Sequence, residues 1–247
     1  MKEVYLVTGA SRGIGRSLSL ELVNGGFTVI GLSRQSSELE SLGDELKSID
    51  PKSSIISCDI SSLEDIELAS KYISSNYSKL DGIVHNAGII NPIKPMKDVA
   101  IENWNHLIQV NLIGVQNLTQ KLYSLMKGKN QTRVTTISSG ASKYPIGSWS
   151  AYCVSKAGLD MWTRCLAEEG QEHNISAISV APGIVDTNMQ KNIRYSNPDE
   201  FPLHPHFVDY HESGQLVEPD VVAKQLLSLV TTHDIEQTGN RFDVREL

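Results

Sequence analysis

Residues 4–15 read VYLVTGASRGIG, a short apolar run that leads directly into three glycines within seven residues. The apolar run at 4–7 predicts a buried strand, and helix-spaced apolar residues at 13–23 predict a helix immediately after the turn. Glycines in such a turn allow a tight bend and close approach of the backbone to phosphate, and the helix N-terminus adds free N–H groups with partial positive charge. The stretch therefore predicts a strand–turn–helix unit that binds a dinucleotide pyrophosphate, with the spacing G-x-x-x-G-x-G rather than G-x-G-x-x-G.

Strand-like and helix-like segments alternate along most of the chain. The predicted strands are 4–7, 27–32, 55–58, 80–85, 134–137, 175–180 and 241–244. The predicted helices are 13–23, 38–49, 61–77, 101–126, 150–169 and 219–230. The third helix opens with SSLE at 61–64, in which Ser61 and Glu64 have the form of a capping box. Strands that are apolar from end to end and separated by helices require a parallel sheet covered on both faces. The predicted fold is α/β: a single Rossmann-type, doubly wound parallel sheet of about seven strands with helices on both faces.

One segment interrupts this alternation. Residues 188–217 contain three prolines and three histidines and show no clean periodicity. A structureless loop of this length inside a compact domain is usually functional or mobile. Because only one more helix and strand follow, we interpret 188–217 as an insertion that covers a substrate site, within a single cofactor-binding and catalytic domain of residues 1–247.

The composition is that of a folded, acidic protein. Of the 247 residues, 40% are hydrophobic and 21% are charged, which excludes general disorder. The 22 basic residues minus the 29 acidic ones give a net charge of −7, which argues against a uniform nucleic-acid-binding face. Three cysteines without a CxxC motif argue against a disulfide framework or a zinc cluster, and no apolar run approaches a membrane-spanning length. We expect a cytoplasmic protein with a small-molecule substrate and neither membrane nor nucleic acid as partner.

The end of the second predicted strand indicates which dinucleotide is bound. An enzyme that uses NAD commonly has Asp or Glu there, which accepts a hydrogen bond from the ribose 2′-hydroxyl. This sequence has Ser33 and Arg34 at that position, and Arg12 lies inside the glycine turn. A guanidinium can bind a 2′-phosphate through forked, charge-assisted hydrogen bonds. The pattern favours NADP(H); the alternative is that Arg34 is a solvated residue at the start of a helix.

Tyr152 and Lys156 lie four residues apart at the start of a predicted helix, so they share one helix face. Ser139, thirteen residues before Tyr152, follows the fifth predicted strand. Ligands of open α/β sheets bind at the carboxyl ends of the strands, where Ser139 is expected. A tyrosine serves as an acid–base catalyst near neutral pH only if its pKa of about 10 is altered. A nearby ammonium such as that of Lys156, together with a positively charged nicotinamide, would lower the Tyr152 pKa.

Across essentially its whole length the sequence resembles the short-chain dehydrogenase/reductase family. The glycine motif matches 8–15, the N-A-G motif matches 86–88, the Y-x-x-x-K motif matches 152–156, and the P-G-x-x-x-T motif matches 182–187. Asn111 and Ser139 match the catalytic asparagine and serine of the family. His85 departs from the pattern, since many members have a second asparagine there; we expect this histidine to end a strand and pack, with little catalytic consequence.

The resemblance implies a mechanism and a set of site residues. Ser139 would hydrogen-bond the substrate carbonyl, Tyr152 would protonate it, and Lys156 would bind the nicotinamide ribose and lower the Tyr152 pKa. Asn111 would hold a water that relays protons to Lys156. The residues implied to bind NADP(H) are Gly9, Ser11, Arg12, Gly13, Ile14, Gly15, Ser33, Arg34, Asp59, Ile60, Asn86, Ala87, Gly88, Tyr152, Lys156, Pro182, Gly183, Val185 and Thr187.

Two segments, 148–153 and 181–190, resemble sepiapterin reductases and the related fungal and bacterial benzil reductases. This resemblance implies an NADPH-dependent carbonyl reductase that reduces one carbonyl of an aromatic or other 1,2-diketone to an α-hydroxy ketone. Tyr144, Trp149 and Met189 would line an aromatic-friendly pocket around Ser139.

Three other functions stay open. The first is sepiapterin reductase-type reduction of a pterin side chain, for which Asp209, Glu212 and Asp243 are candidate pterin-binding acids. The second is an NAD-linked alcohol or hydroxysteroid dehydrogenase. The third is a non-catalytic NADP-sensing regulator on the same fold. The family resemblance also implies a homodimer or homotetramer formed through the helices near 101–126 and 150–170, and the histidine spacing gives no indication of a metal site.

Overall fold

The computed structural model describes residues 2–246, which build one sheet of seven parallel strands in the order β3-β2-β1-β4-β5-β6-β7. The strands are β1 (Val4–Thr8), β2 (Thr28–Ser33), β3 (Ser54–Ser57), β4 (Gly82–His85), β5 (Thr132–Ile137), β6 (Ile175–Ala181) and β7 (Arg241–Asp243). Every residue of β4 and β6 is buried, as the end-to-end apolar runs require. The predicted doubly wound parallel sheet is confirmed.

Nine α-helices accompany the sheet within the described residues. They are α1 (Gly13–Asn24), α2 (Ser37–Ile49), α3 (Leu63–Asn76), α4 (Ile101–Ile108), α5 (Gly114–Met126), α6 (Ser150–Gly170), α7 (Asn188–Arg194), α8 (His204–Glu212) and α9 (Pro219–Thr232). Apolar side chains of α1, α2 and α9 form one core with the sheet, and those of α3, α5 and α6 form a second core. The two cores cover opposite faces of the sheet, and the order of the strands reverses between β1 and β4, where open α/β sheets bind their ligands.

The long helical region predicted at 101–126 is present, with one irregularity inside it. The structure has α4 and α5 separated by a π-helical segment, Gln109–Ile113. Apolar periodicity does not reveal the widened turn, because π segments insert a single residue into an otherwise helical pattern. Asn111 lies in this segment and is fully buried, so the irregularity occurs at one of the predicted catalytic positions.

The predicted capping box at Ser61 and Glu64 is also wrong by one residue. The N-cap of α3 is Ser62, whose hydroxyl oxygen accepts a hydrogen bond from the backbone N–H of Asp65 at 3.2 Å. Ser61 instead donates from both its backbone N–H and its hydroxyl to one carboxylate oxygen of Asp59. Two adjacent serines satisfy the same sequence pattern, so the pattern alone does not decide between them.

The 188–217 insertion is ordered rather than structureless. It contains α7 and α8, and a parallel bridge between Val185 and Val217 joins its two ends. Phe201, between the two helices, is fully buried. The helices were missed because they are seven and nine residues long, and no residue of α8 is fully buried to mark a helical period.

Within residues 2–246, no helix combines the length and the apolar character that a membrane crossing would require.

His85 ends β4 and packs, as the sequence indicated. Its Nε2 lies 2.9 Å from the hydroxyl of Thr119, and its ring meets the Trp162 ring edge-on at a centroid distance of 5.7 Å. Burial lowers the pKa of His85 to about 3. The folded protein therefore holds this histidine neutral at pH values where the unfolded chain protonates it.

This burial predicts an acid sensitivity. Between the unfolded-state pKa of 6.5 and the folded value near 3, unfolding lets His85 take up a proton, so stability falls with decreasing pH by about 1.4 kcal/mol per pH unit from this residue. Urea unfolding of wild type and His85→Asn between pH 7 and 4.5 measures the effect. We expect a shallower decline in the variant; parallel declines would contradict it.

Candidate active site

The glycine turn after β1 bends where only glycine fits easily. Gly9 and Gly13 have positive φ values of +65° and +54°. A Cβ atom on Gly15 would lie 2.4 Å from both the carbonyl oxygen of Gly9 and the Nδ2 of Asn86. The turn therefore folds closely on itself and against the segment after β4, which leaves the α1 N-terminus directly behind it.

Asn86 and Thr8 hold the turn in place. The Asn86 side-chain amide donates to the carbonyl oxygens of Thr8 and Gly9 at 2.9 and 3.2 Å. The Thr8 hydroxyl oxygen accepts hydrogen bonds from the backbone N–H groups of Asn86 and Ala87, both at 3.0 Å. The Asn86 side chain, predicted to bind the cofactor, thus joins the ends of β1 and β4.

The predicted segment after β6 lies across the turn. A Cβ atom on Gly13 would lie 3.2 Å from the Cγ2 of Thr187, so the P-G-x-x-x-T motif and the glycine turn are neighbours. Gly183 has a φ of +80°, and Val185 is buried at the bridge that closes the 188–217 insertion. Two segments more than 170 residues apart in the sequence are therefore in contact at this point.

The end of β2 contributes hydroxyls and cations to the same crevice. The Ser33 hydroxyl donates to the Ser11 hydroxyl at 3.0 Å, which connects the ends of β1 and β2. Arg12 and Arg34 are exposed, and neither guanidinium has a hydrogen bond or salt bridge to residues 2–246. Burial opposes ionisation of Asp59, but the hydrogen bonds from Ser61 and the nearby Arg34 cation hold the Asp59 pKa below its ordinary value.

These features fit a dinucleotide. The α1 N-terminus favours an anion. Two guanidinium groups, Arg12 in the glycine turn and Arg34 directly after β2, have no hydrogen-bond or salt-bridge partner within residues 2–246. Buried Ile60, beside Asp59, packs against α5, where a Cβ atom on Gly114 would lie 2.3 Å from the Ile60 carbonyl oxygen. The crevice therefore has an anion-binding centre and an apolar end.

Ser139, Tyr152 and Lys156 come together at the carboxyl end of β5. The Lys156 ammonium donates to the carbonyl oxygen of Ile137, the last residue of β5, at 2.7 Å, and lies 5.8 Å from the centre of the Tyr152 ring. The Ser139 side chain is close enough to the Tyr152 hydroxyl to act on its pKa. The three predicted catalytic side chains are thus neighbours.

Burial sets the protonation of this group. It raises the Tyr152 pKa to about 12, although the Ser139 hydroxyl acts in the opposite direction. Burial also lowers the Lys156 pKa to about 8, against the attraction of Asp160. The pKa decrease expected at Tyr152 is therefore not found in the protein alone, because desolvation of the phenolate outweighs the stabilising neighbours. Tyr152 holds its proton at neutral pH, which suits a general acid.

Asn111 is committed to internal hydrogen bonds. Its Oδ1 accepts from the backbone N–H of Ile89 at 2.8 Å, and its Nδ2 donates to the Ile89 carbonyl oxygen and the Ser155 hydroxyl at 2.9 and 3.1 Å. A Cβ atom on Gly88 would lie 3.4 Å from the Asn111 Oδ1 and 3.6 Å from the Lys156 Nζ, so the two side chains flank Gly88. Ser155 was not anticipated as part of this network, although its position directly before Lys156 was a usable signal.

The predicted substrate residues are in different environments. The Tyr152 hydroxyl lies 3.9 Å from the Met189 sulfur, so α7 reaches the catalytic group. Trp149 is only 4% exposed; its ring stacks on Phe201 and meets the Tyr152 ring edge-on at 5.5 Å. Tyr144 is 70% exposed and lies outside this aromatic cluster. Met189 and Trp149 thus contact Tyr152, and Phe201 is a member of this cluster that the sequence did not indicate.

The three acids considered for pterin binding differ as well. Asp243 is buried, and both of its carboxylate oxygens accept hydrogen bonds from the Arg245 guanidinium, at 2.8 and 2.6 Å. Asp209 and Glu212 are exposed on α8. The Asp243 carboxylate is therefore already paired within the protein.

Comparison with known proteins identifies similar chains. A family model described as short chain dehydrogenase matches residues 3–198. A benzil reductase ((S)-benzoin forming) from Bacillus cereus is 34% identical over 238 residues, covering 94% of this chain and 95% of the relative. An NADPH-dependent pterin aldehyde reductase from Arabidopsis thaliana is 31% identical over 184 residues, covering 74% of this chain and 75% of the relative.

Solved structures agree with the fold. A short chain dehydrogenase/reductase from Saccharomyces cerevisiae superimposes with a TM-score of 0.89 at 28% identity, covering 98% of this chain and 96% of that one. A short chain dehydrogenase from Escherichia coli CFT073 complexed with NADPH has a TM-score of 0.82 at 26% identity, covering 98% and 96%. A 3-oxoacyl-[acyl-carrier protein] reductase from Brucella melitensis in complex with NAD has a TM-score of 0.85 at 25% identity, covering 99% and 96%.

The glycine turn gives a direct test of the nucleotide crevice. In Gly15→Ala the new methyl group would meet backbone at 2.4 Å, so we expect a loss of about 1–3 kcal/mol in stability and at least tenfold weaker NADPH binding. Calorimetry and fluorescence titration measure the two effects. Gly128→Ala is the matched control, since its Cβ atom would meet no atom closer than 3.9 Å. Unchanged NADPH affinity in Gly15→Ala would contradict the assignment.

Proposed function

We propose that this chain, which belongs to the short-chain dehydrogenase/reductase family, is an NADPH-dependent carbonyl reductase that acts on one carbonyl of an aromatic or other 1,2-diketone. The observation that carries the proposal is the meeting of Ser139, Tyr152 and Lys156 at the carboxyl end of β5. Similarity to a benzil reductase along nearly the full length of both chains supports the substrate class.

Bound NADPH would supply a hydride to the carbonyl carbon. Ser139 donates a hydrogen bond to the carbonyl oxygen, and Tyr152 donates the proton that the oxygen needs as it becomes an alcohol. The raised Tyr152 pKa supports this direction, because the phenol arrives protonated at neutral pH. Lys156, held by the Ile137 carbonyl oxygen, places a positive charge behind Tyr152. Its ammonium would bind the ribose of the cofactor. Asn111 holds the backbone at Ile89 beside them. It would also hold a water that relays protons to Lys156.

The choice of NADPH depends on two arginines, Arg12 in the glycine turn and Arg34 directly after β2. Arg12 and Arg34 are exposed guanidinium groups without protein partners in residues 2–246, and no acid occupies the Ser33–Arg34 position. Such a pair suits a 2′-phosphate, which an acid would repel. An NADPH-dependent relative and an NADPH-complexed structural neighbour support the same choice.

An aromatic diketone fits the apolar surroundings of Tyr152. Trp149 stacks on Phe201 and meets the Tyr152 ring edge-on. Phe207 lies at an angle to both Trp149 and Phe201, and Met189 approaches the Tyr152 hydroxyl. Flat apolar walls around one polar focus are typical of sites for such ligands. We propose that the 188–217 insertion, which contributes Phe201, Phe207 and Met189, covers the substrate. Reduction of a pterin carbonyl is the second candidate, favoured by the plant relative, but it requires an acid other than the paired Asp243.

We also propose a cytoplasmic homodimer or homotetramer. The described cysteines are unpaired, which suits a reducing compartment. Exposed apolar residues lie on the long helices expected at subunit contacts, with Ile101 on α4 and Val154 and Met161 on α6.

The reductase proposal predicts that purified protein oxidises NADPH when benzil is added. Tyr152→Phe removes the proton donor, so we expect kcat to fall by about 100- to 10,000-fold with NADPH binding retained. Absorbance at 340 nm and chromatography of the benzoin product measure the reaction. Tyr72→Phe, a half-exposed tyrosine on α3, is the matched control. Full activity of Tyr152→Phe would contradict the mechanism. A wild-type protein that is inert toward benzil but active on another carbonyl would contradict the substrate class.

The cofactor assignment predicts a preference that one charge reversal alters. In Arg34→Asp a carboxylate would repel the 2′-phosphate, so we expect kcat/KM for NADPH to drop at least tenfold while that for NADH is maintained or rises. Initial rates with both cofactors measure the ratio. Arg164→Asp, at an exposed site on α6, changes the net charge equally and should leave the ratio unaltered. A wild type that prefers NADH would show the assignment of Arg34 to be wrong.

A further inference from the structure

Arg241, in the edge strand β7, reaches the catalytic region. Its backbone pairs with Ser179 of β6, and its side chain extends to the loop after β5 and to α6. The guanidinium Nη2 donates to the carbonyl oxygen of Ser139 at 3.0 Å, and Nε donates to a carboxylate oxygen of Asp160 at 3.2 Å. The side chains of Arg241 and Asp160 are only 17% and 18% exposed. One planar group therefore connects the serine loop to the helix that carries Tyr152 and Lys156.

Asp160 is the residue of α6 that Arg241 contacts. It lies four residues after Lys156 and eight after Tyr152, hence on the same side of α6 as both. Its second carboxylate oxygen is buried and has no hydrogen-bond partner within residues 2–246. The Asp160 anion thus depends on Arg241 for its pairing. Removing one partner of this mostly buried ion pair leaves the other charge uncompensated, which is costly.

The position of the Ser139 carbonyl group affects the orientation of the Ser139 hydroxyl. On one side, the Ser138 backbone N–H donates to the Val180 carbonyl oxygen at 2.8 Å. On the other, the Ser139 carbonyl oxygen accepts from the backbone N–H and the hydroxyl of Ser142, at 3.1 and 2.9 Å, as well as from Arg241. The Ser139 hydroxyl oxygen accepts from the Ala141 backbone N–H at 3.2 Å, so its own proton is free to point elsewhere. A shift of this carbonyl would rotate the hydroxyl that acts on Tyr152.

We propose that Arg241 is a positioning residue: by joining the Ser139 carbonyl to Asp160, it holds the Ser139 hydroxyl in register with Tyr152 and Lys156 on α6. The inference rests on the proposed carbonyl reduction, because it assigns Arg241 to the orientation of the serine that binds the carbonyl oxygen. Arg241 itself touches no reacting atom, and it belongs to no motif that identifies the family in this sequence.

Arg133 provides a matched control. Its guanidinium also binds a backbone carbonyl: Nε donates to the His233 carbonyl oxygen at 2.8 Å. Arg133 lies near the amino end of β5, whereas the catalytic group lies at the carboxyl end. Arg133→Met and Arg241→Met each remove one guanidinium from a backbone carbonyl. Arg241→Met also leaves Asp160 unpaired, so a purely structural role predicts a larger loss of thermal stability in Arg241→Met than in Arg133→Met, with kcat of both folded enzymes unchanged. A positioning role predicts a loss of kcat in Arg241→Met alone.

The test compares steady-state kinetics of the full-length variants on the carbonyl that wild type reduces fastest from a panel of benzil, aldehydes and ketoesters. We expect Arg241→Met to lower kcat at least tenfold with KM for NADPH within twofold of wild type, and Arg133→Met to leave kcat unchanged. Arg241→Lys keeps the charge beside Asp160 without the fork, so it should recover thermal stability but not kcat. An Arg241→Met kcat within twofold of wild type, or equal losses in both methionine variants, would overturn the proposal.

Two further readouts tie the effect to Ser139. In a Ser139→Ala background, Arg241→Met should reduce the residual kcat by less than twofold, because no hydroxyl is left to position; a full tenfold loss there would overturn the inference. A crystal structure of Arg241→Met should have the Ser139 hydroxyl displaced from Tyr152, and an unmoved hydroxyl would likewise contradict it. Failure of wild type on benzil alone bears on the proposed substrate class, since the comparison uses whichever carbonyl is turned over and the structural readout uses none.

Discussion

The junction between the glycine turn after β1 and the segment after β4 is the constraint on which the rest of the site depends. It closes at the point where the strand order reverses, and it combines hydrogen bonds from Asn86 with glycine positions that tolerate no Cβ atom. Since both strands are buried and parallel, their carboxyl ends must lie on one edge of the sheet. A nucleotide crevice follows from this arrangement, and the segment carrying Thr187 completes it.

Helix α6 carries the candidate catalytic residues Tyr152 and Lys156. Its four-residue spacing places Tyr152, Lys156 and Asp160 along one face, and the Lys156 bond to the end of β5 sets the depth of the helix against the sheet. Burial then changes the pKa values of Tyr152 and Lys156 in a way that their residue types alone do not indicate. It keeps the phenol protonated and brings the lysine pKa near neutrality, so that the group suits donation of a proton to a carbonyl.

Much of the fold could be read from the sequence because apolar periodicity is a local signal. The predicted strands and long helices correspond to observed elements, and the glycine, Tyr-x-x-x-Lys and Pro-Gly motifs identified the family that the comparisons support. The details that the sequence did not reveal have two sources. Two adjacent serines fit the capping pattern, and the structure has Ser62 rather than Ser61 as the N-cap. The π segment at Asn111 and the two helices of the 188–217 insertion are accompanied by contacts with distant residues, namely Ile89 and Trp149. Local patterns do not encode such partners.

By itself, therefore, the sequence determined the parallel α/β sheet and the glycine turn. It also indicated Ser139, Tyr152 and Lys156 as the candidate catalytic group. Each of these depends on residue type at short spacing. Only the tertiary structure decided that Asn86 joins two strands, that Asp243 is paired with Arg245, and that Arg241 reaches Ser139 from more than 100 residues away. It also decided the direction of the Tyr152 pKa shift. Hydrogen-bond partners and desolvation are set by which groups exclude water from one another, and that is known only once the chain has folded.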